Sequence, residues 1–262
     1  MNTNKKTKLY TRQLEILILL YRFRFLNRHH IQIILNHKYR SRVITWLNKL
    51  VEEEYIVKYW DKQLAANPAV YSLSVKGREF LLWTDDKRLA DEEIIPPVLD
   101  RVWRDKNLSE QFRGHCLMIA DIYLTLMKNW GNKLQFKTKN DLYDMSKLIK
   151  PAPDGYFIIE HNKKDDEHYF LDIFDDIPPT AMRKRVKQYL EYWDDDKWQD
   201  HYDVPFPKII FICPSKRIKG HLYYKILKQR WGDEPIIYLT TKDTVKSQGL
   251  SGKILEKVEE RD

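Results

Sequence analysis

Asp154 in "APDGYF" and Asp172 in "YFLDIF" are the residues whose type and setting could do chemistry. The charged turn "NKKDDE" between them predicts a hairpin of the two flanking apolar runs, which returns Asp154 beside the segment Asp172 to Asp175. Converging carboxylates suit Mg²⁺ or Mn²⁺, hard cations that prefer oxygen ligands and keep several waters. Such an ion could activate water and stabilise the charge that develops on a cleaved phosphodiester. A positive side chain nearby would complete the centre, and the next helix offers Arg183, Lys184, Arg185 and Lys187. On it Met182, Val186, Tyr189, Leu190 and Trp193 form an apolar stripe; Arg185 and Lys187 flank that stripe on opposite sides, Arg183 is close to it and Lys184 points away. Asp154 and Asp172 are thus the candidate metal ligands, with Arg185 or Lys187 as the accompanying catalytic cation. A plainer reading uses the same residues: Pro-Asp opens a turn, and an Asp ending a strand caps the next helix.

Positioning these residues requires a sheet. Strand-like runs appear in "KLQFKT", "DGYFIIEH", "HYFLDIF", "KIIFICPS" and "PIIYLTT", with helices over about Thr180 to Trp193 and through "HLYYKILKQRW". Alternation along the third run puts Phe170, Asp172 and Phe174 on one face and Leu171 and Ile173 on the other, so Asp172 is expected outside a wholly apolar layer. Ahead of the sheet, Ser109 caps a predicted helix with an apolar stripe of Phe112, Ile119, Ile122, Tyr123 and Leu126. His115 on that stripe reads as a core histidine.

The first eighty or so residues are organised differently. Thr11 is a predicted cap for a helix with Leu14, Leu17, Ile18, Tyr21 and Phe25 at helical spacing; Asn27 opens a second helix, and Ser41 caps a third, "RVITWLNKLVEEEYI". In the third, Val43, Leu47, Leu50 and Val51 form the buried stripe, while Arg42, Thr45 and Lys49 point outward in a row sized and charged for a major groove. Two strands, "YIVKYW" and "AVYSLSVKG", follow around the turn-rich "DKQLAANP". Arg40, Lys38, Lys76 and Arg78 add positive charge nearby, so Arg40, Arg42, Thr45, Lys49, Lys76 and Arg78 are the candidate DNA contacts. A solvated helix face or a protein-interaction module would use the same elements.

Charge agrees with a polyanionic partner: 46 Lys and Arg against 38 Asp and Glu give a formal +8 over 262 residues. Cys116 and Cys213 sit in apolar runs, which argues against disulfides or a cysteine zinc site and for a reducing, cytoplasmic setting. No apolar run approaches the length of a bilayer span, and "MNTNKKTK" lacks the apolar segment of a secretion signal, so no membrane role is expected. A P-loop, a glycine-rich dinucleotide turn, a Gly-x-Ser-x-Gly elbow and a metalloprotease helix are all missing. The dense charges and Pro96-Pro97 between Thr84 and Lys106 place a boundary: residues 1–84 and 108–262 as domains, 85–107 as linker.

Two resemblances emerge. "LNKLVEEEYIVKYW" with "YSLSVKGREFL" resembles the recognition helix and wing of bacterial winged helix-turn-helix proteins, which implies base reading by the third helix and phosphate contacts by the wing. The order α, β, β, β, α, β, α, β resembles the PD-(D/E)xK nuclease fold. The expected fold class is therefore α+β, an amino-terminal winged helix followed by an α/β nuclease-like domain with a central mixed sheet. In that fold a lysine stands two residues after the second acid, where this chain has Phe174. Some members carry the basic residue on the next helix instead.

Read whole, the chain resembles the replication-relaxation family of plasmid and mobile-element proteins, through "APDGYF", "YFLDIF", a basic helix ending in "KQYLEYW", and the late "YLTTKDTVKSQGLSGKIL". The family more usually has Glu at the place of Asp172, and Asp175 and Asp176 crowd the turn after it. The resemblance implies double-stranded DNA as partner, with a homodimer or a replication or mobilisation protein as further partners. It leaves two activities open, a metal-dependent endonuclease or nickase and a non-catalytic initiator or regulator. A tyrosine relaxase lacks its paired-histidine strand, since His29 and His30 are adjacent in a helical stretch.

Overall fold

Apolar residues at helical spacing and short apolar runs become the elements of two compact units, Met1–Ala120 and Asp121–Asp262. The computed structural model describes residues 9–60, 68–90, 92–102, 109–162, 165–175, 177–229 and 235–260. The expected wing tip through Asn67, Lys163 and Lys164 of the hairpin turn, and Asp176 lie outside the described residues.

In the first unit the order is α1 (Thr11–Phe23), β1 (Leu26–Asn27), α2 (Arg28–Ile34), α3 (Arg40–Glu52), β2 (Ile56–Tyr59), β3 (Val70–Leu73), α4 (Val75–Trp83) and α5 (Pro96–Val102). Strand β3 lies between β1 and β2, antiparallel to both. Leu14, Leu17, Ile31, Val43, Leu47 and Leu50 are buried, as their spacing predicted, whereas Val51 is only half-buried. Phe25 is fully buried but lies beyond the end of α1.

The caps differ from expectation at two of the three helices. Asn27 does cap α2: its Oδ1 accepts from the His30 amide at 2.9 Å, and the His30 ring accepts from the Asn27 amide at 3.4 Å. Helix α1 begins at Thr11 itself, behind Tyr10, whose amide donates to Gln13 Oε1 at 3.0 Å. Helix α3 starts one residue before Ser41, behind Tyr39. Short polar side chains are the usual caps, but a reaching Gln does the same job for an exposed amide, and no side-chain cap is needed where the first turn faces water. Residues 85–102, read as linker, carry α5 with Val98 and Leu99 buried, and the Ile95 amide donates to Tyr21 Oη at 3.0 Å.

The second unit is built on β4 (Leu134–Thr138), β5 (Gly155–Ile159), β6 (Glu167–Ile173), β7 (Lys208–Cys213), β8 (Ile237–Thr241) and β9 (Glu256–Lys257), in that spatial order. The pairs β6–β7 and β7–β8 are parallel and the rest antiparallel, giving a mixed six-stranded sheet. Helix α6 (Glu110–Trp130) precedes the sheet, with Ser109 Oγ accepting from the Phe112 amide at 3.2 Å as expected of its cap. Helices α7 (Pro179–Asp194) and α8 (Lys216–Gln229) cross between the parallel strands, and α9 (Lys242–Gln248) follows β8. Neither α9 nor β9 was expected. His115 is half-buried and stacks on Phe112 rather than sitting in the core.

One face of this sheet holds the main core, where Phe170, Phe174, Ile209 and Phe211 meet Met182, Val186 and Tyr189 of α7 and Leu222 and Ile226 of α8. Trp198 is buried against Phe170 with rings 5.2 Å apart. Both cysteines are free and buried, and burial pushes the Cys213 thiol up to about 12, as suits an inert core residue. Among the described residues no helix is long and apolar enough to cross a membrane.

A pH response is built into this core. The Tyr156 hydroxyl is 2.6 Å from His168 Nδ1, and burial holds the His168 imidazole below its ordinary 6.5, with Asp166 opposing. The folded imidazole resists a proton that the unfolded one accepts. Its contribution to stability is therefore complete above pH 6.5 and is lost as pH falls through the depressed folded value. Thermal melts taken from about pH 8 down to about pH 5 should fall in midpoint, and His168→Gln should flatten that decline; an equal decline in the variant would remove His168 as its source.

Candidate functional site: a cross-strand acid pair and an exposed helix face

The antiparallel register that places Gly155 opposite Leu171 extends one step to place Asp154 opposite Asp172. Likewise the pairing of Thr138 with Gly155 brings Lys139 opposite Asp154. A lysine and two aspartates thus lie in a row across three neighbouring strands. Both acids are nearly enclosed, Asp154 at 7% and Asp172 at 6% exposure.

Each carboxylate reaches into the other strand. The Ile173 amide donates to Asp154 Oδ2 at 2.9 Å, and the Asp154 amide donates to Asp172 Oδ1 at 3.3 Å. The outer oxygens take cations: Lys139 Nζ is 3.4 Å from Asp154 Oδ1, and Arg185 Nε is 2.7 Å from Asp172 Oδ2. All three Arg185 nitrogens are engaged, since its Nη1 also donates to the Pro151 carbonyl at 2.8 Å and its Nη2 to Tyr189 Oη at 3.1 Å. The guanidinium also lies 4.4 Å above the Tyr189 ring.

Strand alternation explains how Arg185 arrives there. Asp172 shares its face with Phe170 and Phe174, and that face is covered by α7. Asp172 was expected to point somewhere other than into a wholly apolar layer, and its layer is mixed, with Arg185 and the Tyr189 hydroxyl as polar company among the aromatic core. Burial pushes the Asp172 carboxyl above its ordinary 3.8; Arg185 lowers it and Asp154 raises it again. Burial also works against the Arg185 charge, but Tyr189 and Asp172 outweigh it and hold the guanidinium more firmly protonated than usual.

Of the residues singled out in the sequence, Asp154, Asp172 and Arg185 come together and Lys187 does not. Lys187 is exposed and pairs along α7 with Glu191 at 3.0 Å. Phe174 stacks on Phe211 with centroids 5.1 Å apart, a core contact. Lys139 escaped sequence reasoning, and only the β4–β5 register reveals it. A second acid–cation link, Lys242 Nζ to Asp175 Oδ1 at 2.5 Å, was missed as well.

These residues were expected to hold Mg²⁺ or Mn²⁺. As arranged, each of the four oxygens already accepts from an N–H and two protein cations balance the charge, so a divalent ion would have to compete with Lys139 and Arg185 for these acids. Among the described residues no third acid, histidine or cysteine joins them to complete a ligand group.

In the first unit, α3 turns Arg40, Ser41, Arg42, Thr45 and Asn48 outward, all exposed, with Lys49 half-buried beside them. Arg40 and Arg42 make no ion pair with a described residue. Lys49 is engaged with Glu53 at 3.7 Å and lies 5.1 Å from the Tyr10 ring. Thr45 Oγ1 donates back to the Ser41 carbonyl at 3.0 Å. Lys76 and Arg78, on α4, are committed elsewhere: Lys76 Nζ donates to the Glu53 carbonyl at 2.7 Å and Arg78 faces Asp100 at 3.5 Å. Asn48, on the same face as Arg42 and Thr45, was passed over in the sequence although its spacing from both is helical.

No curated protein and no solved structure matches the chain. The sequence profile of the family described as replication-relaxation does match, over residues 17–209, from within α1 to the start of β7. That span contains the α3 face and the whole acid pair, though not the late segment "YLTTKDTVKSQGLSGKIL". With well over half of its length matched, the chain belongs to the replication-relaxation family.

Proposed function

We propose that this protein docks on duplex DNA through the exposed face of α3, in plasmid or mobile-element replication or relaxation, and that its buried acid pair serves as a structural clamp. The family points to DNA or replication-related partners. The helix, strand, helix, helix, hairpin order of the first unit, with β1 on β3, supports a winged helix, and the β4 to β8 order with its crossover helices supports a PD-(D/E)xK-like second unit. The observation that carries the reading is the open row Arg42, Thr45 and Asn48, beside Arg40, on a helix whose other face is fully committed to the core.

On this reading different residues do different work. Arg42 and Asn48 suit base edges, because guanidinium and carboxamide groups can bond purine edges at two points. Arg40 at the helix start and Lys49 suit phosphates. Binding of labelled duplexes across a salt series tests this. Arg42→Ala should weaken the preferred duplex by about 5- to 100-fold, and Arg40→Ala should lower the log–log salt slope by about 0.9. Unchanged affinity and slope in both would make the first unit a protein-interaction module.

Convergence of Asp154 and Asp172 favours a second reading, metal-dependent nicking or cutting. It requires Arg185 and Lys139 to release the acids first. Supercoiled DNA incubated with Mg²⁺ or Mn²⁺ separates the two: the clamp reading expects no product that depends on these acids. Product made by the native chain and lost in both Asp154→Ala and Asp172→Ala, with folding intact, would establish the nuclease instead.

A further inference from the structure

Helix α8, "KRIKGHLYYKILKQ", contains no acid. Leu222, Tyr223 and Ile226 enter the core, and the opposite face exposes Lys216, Arg217, His221, Tyr224, Lys225 and Lys228. Lys219 pairs with Glu256 on β9, whereas Lys216, Arg217, Lys225 and Lys228 make no ion pair among the described residues. Arg217, His221, Tyr224 and Lys228 follow one another at helical spacing, a stripe about 16 Å long.

Two features set this face apart from an ordinary solvated one. The first turn carries Lys216 and Arg217 and no acid, although cations there oppose the helix dipole. Ser215 Oγ accepts from the Ile218 amide at 3.3 Å, but no acid among the described residues pairs with Lys216 or Arg217, which leaves both charges open to an external anion. The second feature is Tyr224, whose ring is 65% exposed in the middle of the stripe. It stands edge-on to the buried Tyr223 ring at 5.8 Å and 75°, and the Tyr223 hydroxyl donates to the Glu259 carbonyl at 2.7 Å. An exposed aromatic plane among cations offers stacking to a base and charge to its phosphates.

A duplex keeps its base faces stacked inside and would leave that ring unused. We propose that the exposed face of α8 binds single-stranded DNA, with phosphates along Arg217, Lys225 and Lys228 and a base stacked on Tyr224. The parallel strands β6 and β7 end side by side, and α8 leaves from the end of β7. This site is independent of the α3 face, which lies in the other unit.

Fluorescence anisotropy of the full chain with a labelled oligothymidine and with a duplex of equal length, over a salt series, tests it. Tyr224→Ala should weaken the single strand by about 5- to 100-fold, Tyr224→Phe should restore it, and neither should alter duplex binding. Lys225→Gln with Lys228→Gln should lower the single-strand salt slope by about 1.4, and Arg42→Ala should leave single-strand binding unchanged. All these side chains are exposed, so melting curves should overlay the native one. The proposal is overturned if the native chain does not bind the oligothymidine, if Tyr224→Ala binds it as well as the native chain, or if that variant weakens duplex and single strand alike.

Discussion

Arg185→Ala is expected to destabilise the second unit by about 3 to 5 kcal/mol, because it removes one partner of a buried ion pair and leaves the other charge enclosed. The loss extends beyond the 2.7 Å bond to Asp172, since the same guanidinium holds the Pro151 carbonyl and the Tyr189 hydroxyl. It joins α7, β6 and the loop before β5. Arg185→Lys should recover little, because an ammonium cannot span three acceptors in one plane.

The pH dependence of the defect identifies its cause. Without Arg185 the Asp172 carboxyl rises further above 3.8, and a carboxyl raised in the folded state contributes stability below its unfolded value that is lost as pH climbs through the folded one. Urea melts should show the variant closest to the native chain at acid pH and furthest from it at neutral pH. Replacing both partners, Arg185→Leu with Asp172→Leu, should return a good part of the stability. A single variant that melts like the native chain at neutral pH would mean the clamp carries no weight.

Gly77→Ala is the second large effect. A Cβ at this position would stand 2.1 Å from the Tyr55 carbonyl oxygen and 3.3 Å from Leu73 Cδ2. The obstructing atom is backbone, so it cannot rotate aside, and the same oxygen accepts the Ser74 amide at 3.1 Å. Alanine in a helix gains about 1 kcal/mol over glycine, but forcing an atom into a filled site costs more, and a net loss of about 2 to 3 kcal/mol is expected. Helix α4 must lift from the turn joining α3 to β2, which also takes Lys76 from the Glu53 carbonyl. Denaturant midpoints measure the loss; a midpoint at or above the native value would show that the turn yields easily.

Much of the second unit was legible because its signals are local. Strand alternation placed Phe170, Asp172 and Phe174 together, and the apolar stripe of α7 put Arg185 at its border, both found in the folded chain. The facing of Asp154 and Asp172 followed from one hairpin. Lys139 required a second pairing, β4 with β5, across the long segment between them, and no periodicity in "KLQFKTKND" encodes that register. The short β9 has no alternation to detect at two residues and exists only because β8 offers an open edge. Arg185 and Lys187 flanked the same stripe in the sequence; packing chose between them, by burying one over Tyr189 and leaving the other beside Glu191. At α3 the outward row was readable, yet the commitment of Lys76 and Arg78 to Glu53 and Asp100 depends on tertiary neighbours that composition does not reveal.

Two aspartates this close would ordinarily repel a nucleic acid. Lys139 and Arg185 cancel them one for one, so the cluster as a whole carries no net field into solution. The formal +8 of the chain is therefore carried entirely by residues outside this cluster.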